Sequence, residues 1–189
     1  NYYVHYMDQR IELGMSQEDV AGTSSSSLAG VSVDMAHVFE DSTGVGCAPG
    51  TDDAGTTTGY KDKKPIPIRL CSIPNTSKGG APVTVNSRVS GAFSALITQM
   101  RTDLGITGAV NIADGFREMS AQEHAWRCAN GRPQPGEDCS DIAGRAAEPG
   151  TSNHQMGVAI DFQLPTGNRG ATRPGDAYWD WLSANASKW

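Results

Sequence analysis

No uninterrupted apolar run approaches the roughly 20 residues that a membrane-crossing helix needs, and no basic-then-apolar leader opens the chain. Asn rather than Met stands at position 1, which reads as processing or trimming. Cys-x-x-Cys is missing, so a zinc ribbon is a poor reading. His-Glu-x-x-His, Gly-x-Ser-x-Gly and a phosphate-binding glycine loop are missing too, as is any internal repeat. Basic residues are few: 15 Lys and Arg stand against 21 Asp and Glu, for a net charge of −6. That balance argues against nucleic acid or an anionic membrane surface as a main partner. What is there suits a globular domain with a real core: 189 residues, 38% hydrophobic and 19% charged. Twenty-two glycines and ten prolines predict a loop-rich fold.

Residues 1–20 hold Tyr2, Tyr3 and Tyr6, then a stretch closed by Gly14, and read as a short helix or a tail. Residues 21–30, with four consecutive serines, read as a flexible linker. The domain is expected to span 31–189, with a strand or short helix at 31–39 and loop at 41–64. Ile66 to Ile73 alternates as a half-buried strand does, and its prolines place it at an edge. Asn86 is a good helix cap, and Val89, Phe93, Leu96, Met100 and Leu104 recur at helical spacing until Gly105. Ala109–Ala113 reads as a strand that turns out at Asp114-Gly115. A helix capped by Ser120 runs to about Ala129, a strand covers Gly157–Leu164, and a final helix runs from Asp176 to about Ser187. Short strands and prolines point to an α+β fold with a small, mostly antiparallel sheet and flanking helices.

Cys47 and Cys71 bracket a polar, turn-rich stretch, and so do Cys128 and Cys139. Of three pairings, two local disulfides, Cys47–Cys71 and Cys128–Cys139, are preferred, which implies an oxidising, extracytoplasmic setting. The alternative is four reduced, buried cysteines, and both loops are too polar to bury a thiol easily.

Chemistry concentrates in residues 148–163. His154 and Asp161 lie seven positions apart, with Gly157 between them. Imidazole and carboxylate are ordinary zinc ligands. An aspartate inside the apolar run Val158–Phe162 is costly unless paired, solvated or metal-bound. Two-ligand spacings are common, so spacing alone favours an exposed loop histidine and a solvated aspartate. Arg117 alone reads as a surface ion pair, Gln122 as helix-face solvation and Ser152 as a turn hydroxyl. His37 reads as a satisfied structural histidine, and His124 as a helix-surface residue. The four tryptophans, Trp126, Trp179, Trp181 and Trp189, read as packing residues, with sugar stacking as the alternative.

Ser152 to Asp161 matches Ser-x-His-x-x-Gly-x-Ala-x-Asp at every fixed position. In this it resembles the VanY-like D-alanyl-D-alanine carboxypeptidases, zinc metallopeptidases of bacterial cell walls with a hedgehog-type fold. Asp114-Gly-Phe-Arg117 followed by Gln122 looks like the family's Gly-Phe/Tyr-Arg...Gln segment, and Trp181–Trp189 like the helix before its last motif. The resemblance covers roughly 66–189 and leaves 1–64 without a role. It implies His154 and Asp161 as ligands of Zn2+. Arg117 would act on the substrate carboxylate or scissile carbonyl, with Gln122 and Ser152 in the same pocket. The implied substrate is a peptidoglycan stem peptide, cut by a secreted or wall-associated monomer. An endopeptidase or lysin of the same fold and a non-catalytic wall-peptide-binding module are the alternatives. The family's closing Glu-x-Trp-His, which carries the third ligand and the general base, does not occur in this sequence. The domain is therefore expected to be incomplete at its C-terminal end, and the chain as given to have little activity.

Overall fold

Asp62 and Lys63 both adopt positive φ, 51° and 64°, the backbone of a two-residue hairpin turn whose twist matches paired strands. They join β3 (Asp52–Lys61) to β4 (Lys64–Lys78), antiparallel from Lys61↔Lys64 to Asp52↔Ser72. This corrects the loop expected at 41–64 for residues 52–64, while residues 41–51 are loop as expected. The β-branched run Thr56-Thr57-Thr58 favours extended backbone, and a turn built from Asp-Lys lacks the usual Asn-Gly signal.

The computed structural model describes residues 26–28, 31–33, 37–140, 142, 146–163 and 176–189. The readings made for residues 1–20 lie outside them. Within the expected linker, β1 (Ser26–Leu28) pairs antiparallel with β2 (Val31–Val33), so that part is strand.

From β4 the chain turns through Gly79 and Gly80 into β5 (Ala81–Asn86), which pairs antiparallel with β4. β6 (Val110–Asp114) joins β4 in parallel at Thr76↔Val110, and β7 (Asp161–Phe162) joins β6 antiparallel. The five-stranded sheet runs β3-β4-β6-β7, with β5 also on β4. The fold is thus α+β with a mostly antiparallel sheet. Pro65 and Pro67 sit where β4 pairs only with β3, while residues 70–72 run between β3 and β5. The strand is an edge in its proline half alone. There, Ser42 caps the outer side: its N–H donates to Pro67 O, and its Oγ accepts from Arg69 N.

Helix α1 (Ser87–Leu104) begins at Asn86, whose Oδ1 accepts from Arg88 N, and ends on left-handed Gly105. Its buried stripe, Val89, Phe93, Leu96, Ile97 and Met100, packs with Ile68, Ile73, Val83, Val85, Val110 and Ile112 of the sheet in one core cluster. Helix α3 (Ala177–Asn185), capped at Asp176, adds Tyr178, Trp179, Trp181 and Leu182. Trp181 Nε1 donates to Asp103 Oδ2 at 2.8 Å, and its ring stacks on Trp189.

Two other boundaries move. Helix α2 (Met119–Ala129) starts two residues earlier than a Ser120 cap would give, with Glu118 at the cap and no side-chain cap bond. The strand expected at 157–164 shrinks to β7. Residues 156–160 are buried without a break, and a segment buried on every side cannot alternate as a half-exposed strand does. Both disulfides are the local ones, Cys47–Cys71 and Cys128–Cys139. His37 is not a core residue: half exposed, it pairs with Glu40 at 2.7 Å. No helix among the described residues is long and apolar enough to cross a membrane.

Candidate active site

A single 3-10 turn, Asn153–Met156, carries His154 into the core edge and ends on Gly157 at φ 69°. A side chain at Gly157 would meet Asn86 N at 2.8 Å, so the position needs both the left-handed backbone and the missing Cβ. The turn is tied down on two sides. Asn86 N donates to Gly157 O at 2.9 Å and Asn86 Nδ2 to Met156 O at 3.1 Å. Gln155, fully buried, accepts Gly150 N at 2.6 Å.

The loop after β6 faces this turn and is bound to it reciprocally. His154 Nδ1 lies 2.8 Å from Gly115 O, and Arg117 N donates to His154 O at 2.9 Å. Gly115 fits because a side chain there would strike Val83 Cγ2 at 2.2 Å and Thr84 O at 2.9 Å. A carbonyl only accepts, so Nδ1 carries the hydrogen, and Nε2 is the ring nitrogen turned toward Asp161. Asp161 Oδ2 is 3.4 Å from Nε2, with His154 almost wholly buried. Two acceptors so placed repel unless a proton or a cation lies between them. Two ligand atoms on one tetrahedral zinc, each 2.0–2.2 Å from the ion, stand roughly 3.3–3.6 Å apart. The donor set and its spacing therefore fit a zinc ion. The Nδ1–H bond to a backbone carbonyl is the kind that fixes a ligating histidine's tautomer.

Arg117 stands beside this pair, 18% exposed, with Nη2 3.9 Å from Asp161 Oδ2. Its Nε donates to Asp114 Oδ2 at 2.6 Å and its Nη1 to Gln122 Oε1 at 2.8 Å. Gln122, on α2 and fully buried, passes the anchorage on by donating to Ala147 O at 2.7 Å. Three of the five guanidinium N–H donors are thus engaged in holding the fork. Burial by itself raises the Asp114 carboxyl, but Arg117, His154 and Lys78 outweigh it and hold it below the usual range. Ser152 is buried at the mouth of the turn, and its hydroxyl makes no cap bond.

The structure brings His154, Asp161, Arg117 and Gln122 together and sets Ser152 two residues from the histidine. Three participants were given no site role from the sequence: Asp114, which stood only in a turn and beside the quoted Gly-Phe-Arg segment, Gln155 and Lys78. Elsewhere, His124, Cys128 and Glu137 cluster closely enough to suggest a metal site. Cys128 is in a disulfide and has no thiolate to offer. His124 and Glu137 are paired at 2.7 Å, and Arg127 shares the same carboxylate, so this cluster is a structural ion pair.

A small mixed sheet sets a buried histidine and a carboxylate beside an anchored arginine. The VanY family, D-alanyl-D-alanine carboxypeptidase, matches residues 83–189, and the chain belongs to it. The match begins in β5, later than the motifs alone suggest, so β3 and β4 precede it. No curated protein and no solved structure matches the chain.

Proposed function

We propose that this protein is a zinc-dependent D-alanyl-D-alanine carboxypeptidase that acts on peptidoglycan stem peptides outside the cytoplasm. The observation that carries it is the pair His154 Nε2 and Asp161 Oδ2, 3.4 Å apart, with Arg117 fixed beside them. His154 and Asp161 would hold Zn2+, which in such peptidases polarises a scissile carbonyl and makes bound water acidic enough to supply hydroxide near neutral pH. Arg117 would receive the terminal carboxylate of the peptide on its two remaining N–H groups, since a planar fork suits a carboxylate. Gln122 holds that fork in register, and Ser152, two residues before His154, would assist in the same pocket. The two disulfides suit an extracytoplasmic setting.

No residue of this sequence is assigned the general base, because the family's Glu-x-Trp-His does not occur in it. The chain as given is accordingly proposed to bind substrate and hydrolyse it slowly. The same observation favours a second reading, a wall-peptide-binding module that keeps the pocket without turnover. Zinc content and D-alanine release from a stem pentapeptide distinguish the two, measured on the 189-residue chain and on the product of its whole reading frame. One zinc per chain with D-alanine release from the whole product supports the peptidase. Zinc binding with no release, and no cleavage of wall cross-links, overturns it in favour of the module.

A further inference from the structure

Lys78 lies outside the family-matched residues, yet it reaches the site. Thr76 and Ser77 pair in parallel with Val110 and Asn111, so β4 and β6 run side by side in one direction. Lys78 comes alongside the end of β6, and Gly79 and Gly80, with φ of 60° and 94°, turn the chain away at once. The ammonium meets Asp114 Oδ1 at 2.5 Å and remains 45% exposed, so it holds the carboxylate while facing solvent at the site's edge.

Asp114 is shared between two cations. Its Oδ1 accepts from Lys78 Nζ and Gly115 N, its Oδ2 from Arg117 Nε and Nη2. Arg117 also lies near Asp161. Around the positive charge of a bound ion, Arg117, Asp114 and Asp161 contribute one net negative charge, which weakens the pull on an arriving carboxylate. Lys78 cancels that contribution. An ion pair so placed acts on partner choice more than on fold stability, because half-exposed pairs contribute little to stability while local potential governs charged ligands.

We propose that Lys78 is a specificity-determining residue: by offsetting Asp114 it leaves Arg117 free to prefer a peptide end bearing a carboxylate over the same end as an amide. The proposal rests on the carboxylate-recognition reading above. It is tested by calorimetric binding to the zinc-loaded 189-residue chain of two peptides ending in D-alanyl-D-alanine, one with a free acid and one amidated. The unaltered chain is expected to bind the acid more tightly. Lys78→Met should cut the acid-to-amide affinity ratio by about fivefold, the effect of one charge at a partly solvated site, and leave amide affinity unchanged. Lys78→Arg should restore the ratio. A purely structural lysine would lower both affinities in parallel, and that result overturns the proposal. A preference that survives unchanged in Lys78→Met overturns it alone. No acid preference in the unaltered chain overturns the carboxylate reading, and this inference with it.

Discussion

Asp114 and Asp161 are register partners across β6 and β7, two carboxylates set opposite each other at the end of a sheet. Like charges so paired are destabilising on their own. Here they are divided between different partners: Asp114 takes Arg117 and Lys78, and Asp161 faces His154. The strand pairing thus places two negative charges where cations must be recruited, and the site is built from those cations.

Removing a carboxylate from the His154 pair tests its part in metal binding. Asp161→Ala is expected to lower zinc affinity by at least about a hundredfold, since even outer partners of a metal site are worth 10- to 100-fold. Competition with a chromophoric chelator measures it. Unchanged affinity would remove Asp161 from the ligand set.

Gln122 separates anchorage from metal binding. Gln122→Leu removes the partner of Arg117 Nη1 and of Ala147 O, two part-buried hydrogen bonds. The expected loss is about 1–3 kcal/mol of unfolding free energy, the scale of one hydrogen bond to a charged group with one to a carbonyl. Urea unfolding reads it, and zinc content should stay the same. A neutral effect on stability would mean that water replaces the side chain.

Glu137 makes stability fall in acid over a defined window. Hydrogen bonds from Arg127, the Gln134 N–H and His124 bring its carboxyl from 4.5 to about 2. A carboxyl lowered in the folded state contributes stability that is complete above its unfolded value and is lost as pH falls through the folded one. The contribution should therefore be intact above pH 4.5 and gone near pH 2. Glu137→Gln should flatten the dependence of stability on pH between those limits, as followed by denaturant midpoints at stepped pH. The same slope in both proteins would show that other groups set it.

Much of the scaffold was legible in local chemistry. Asn86 and Gly105 bound α1 because one accepts a helix N–H and the other adopts the left-handed cap. His154 and Asp161 stood out by their motif, and the cysteines by the loops they close. β3 was not legible, because its turn uses Asp62 and Lys63 at positive φ where glycine or asparagine is the usual cue. The segment before Asp161 misled because its apolar residues are buried on all sides. Lys78 and Asp114 were out of reach for a different reason: they are 36 residues apart, and only a parallel strand pairing joins them.

Asn86 commits its backbone N–H and its side-chain amide to the turn that carries His154, while its side-chain oxygen starts α1. One residue thereby welds the His154 turn to α1. That turn is set by the fold itself, so a ligand arriving there would spend little of its binding energy on ordering it.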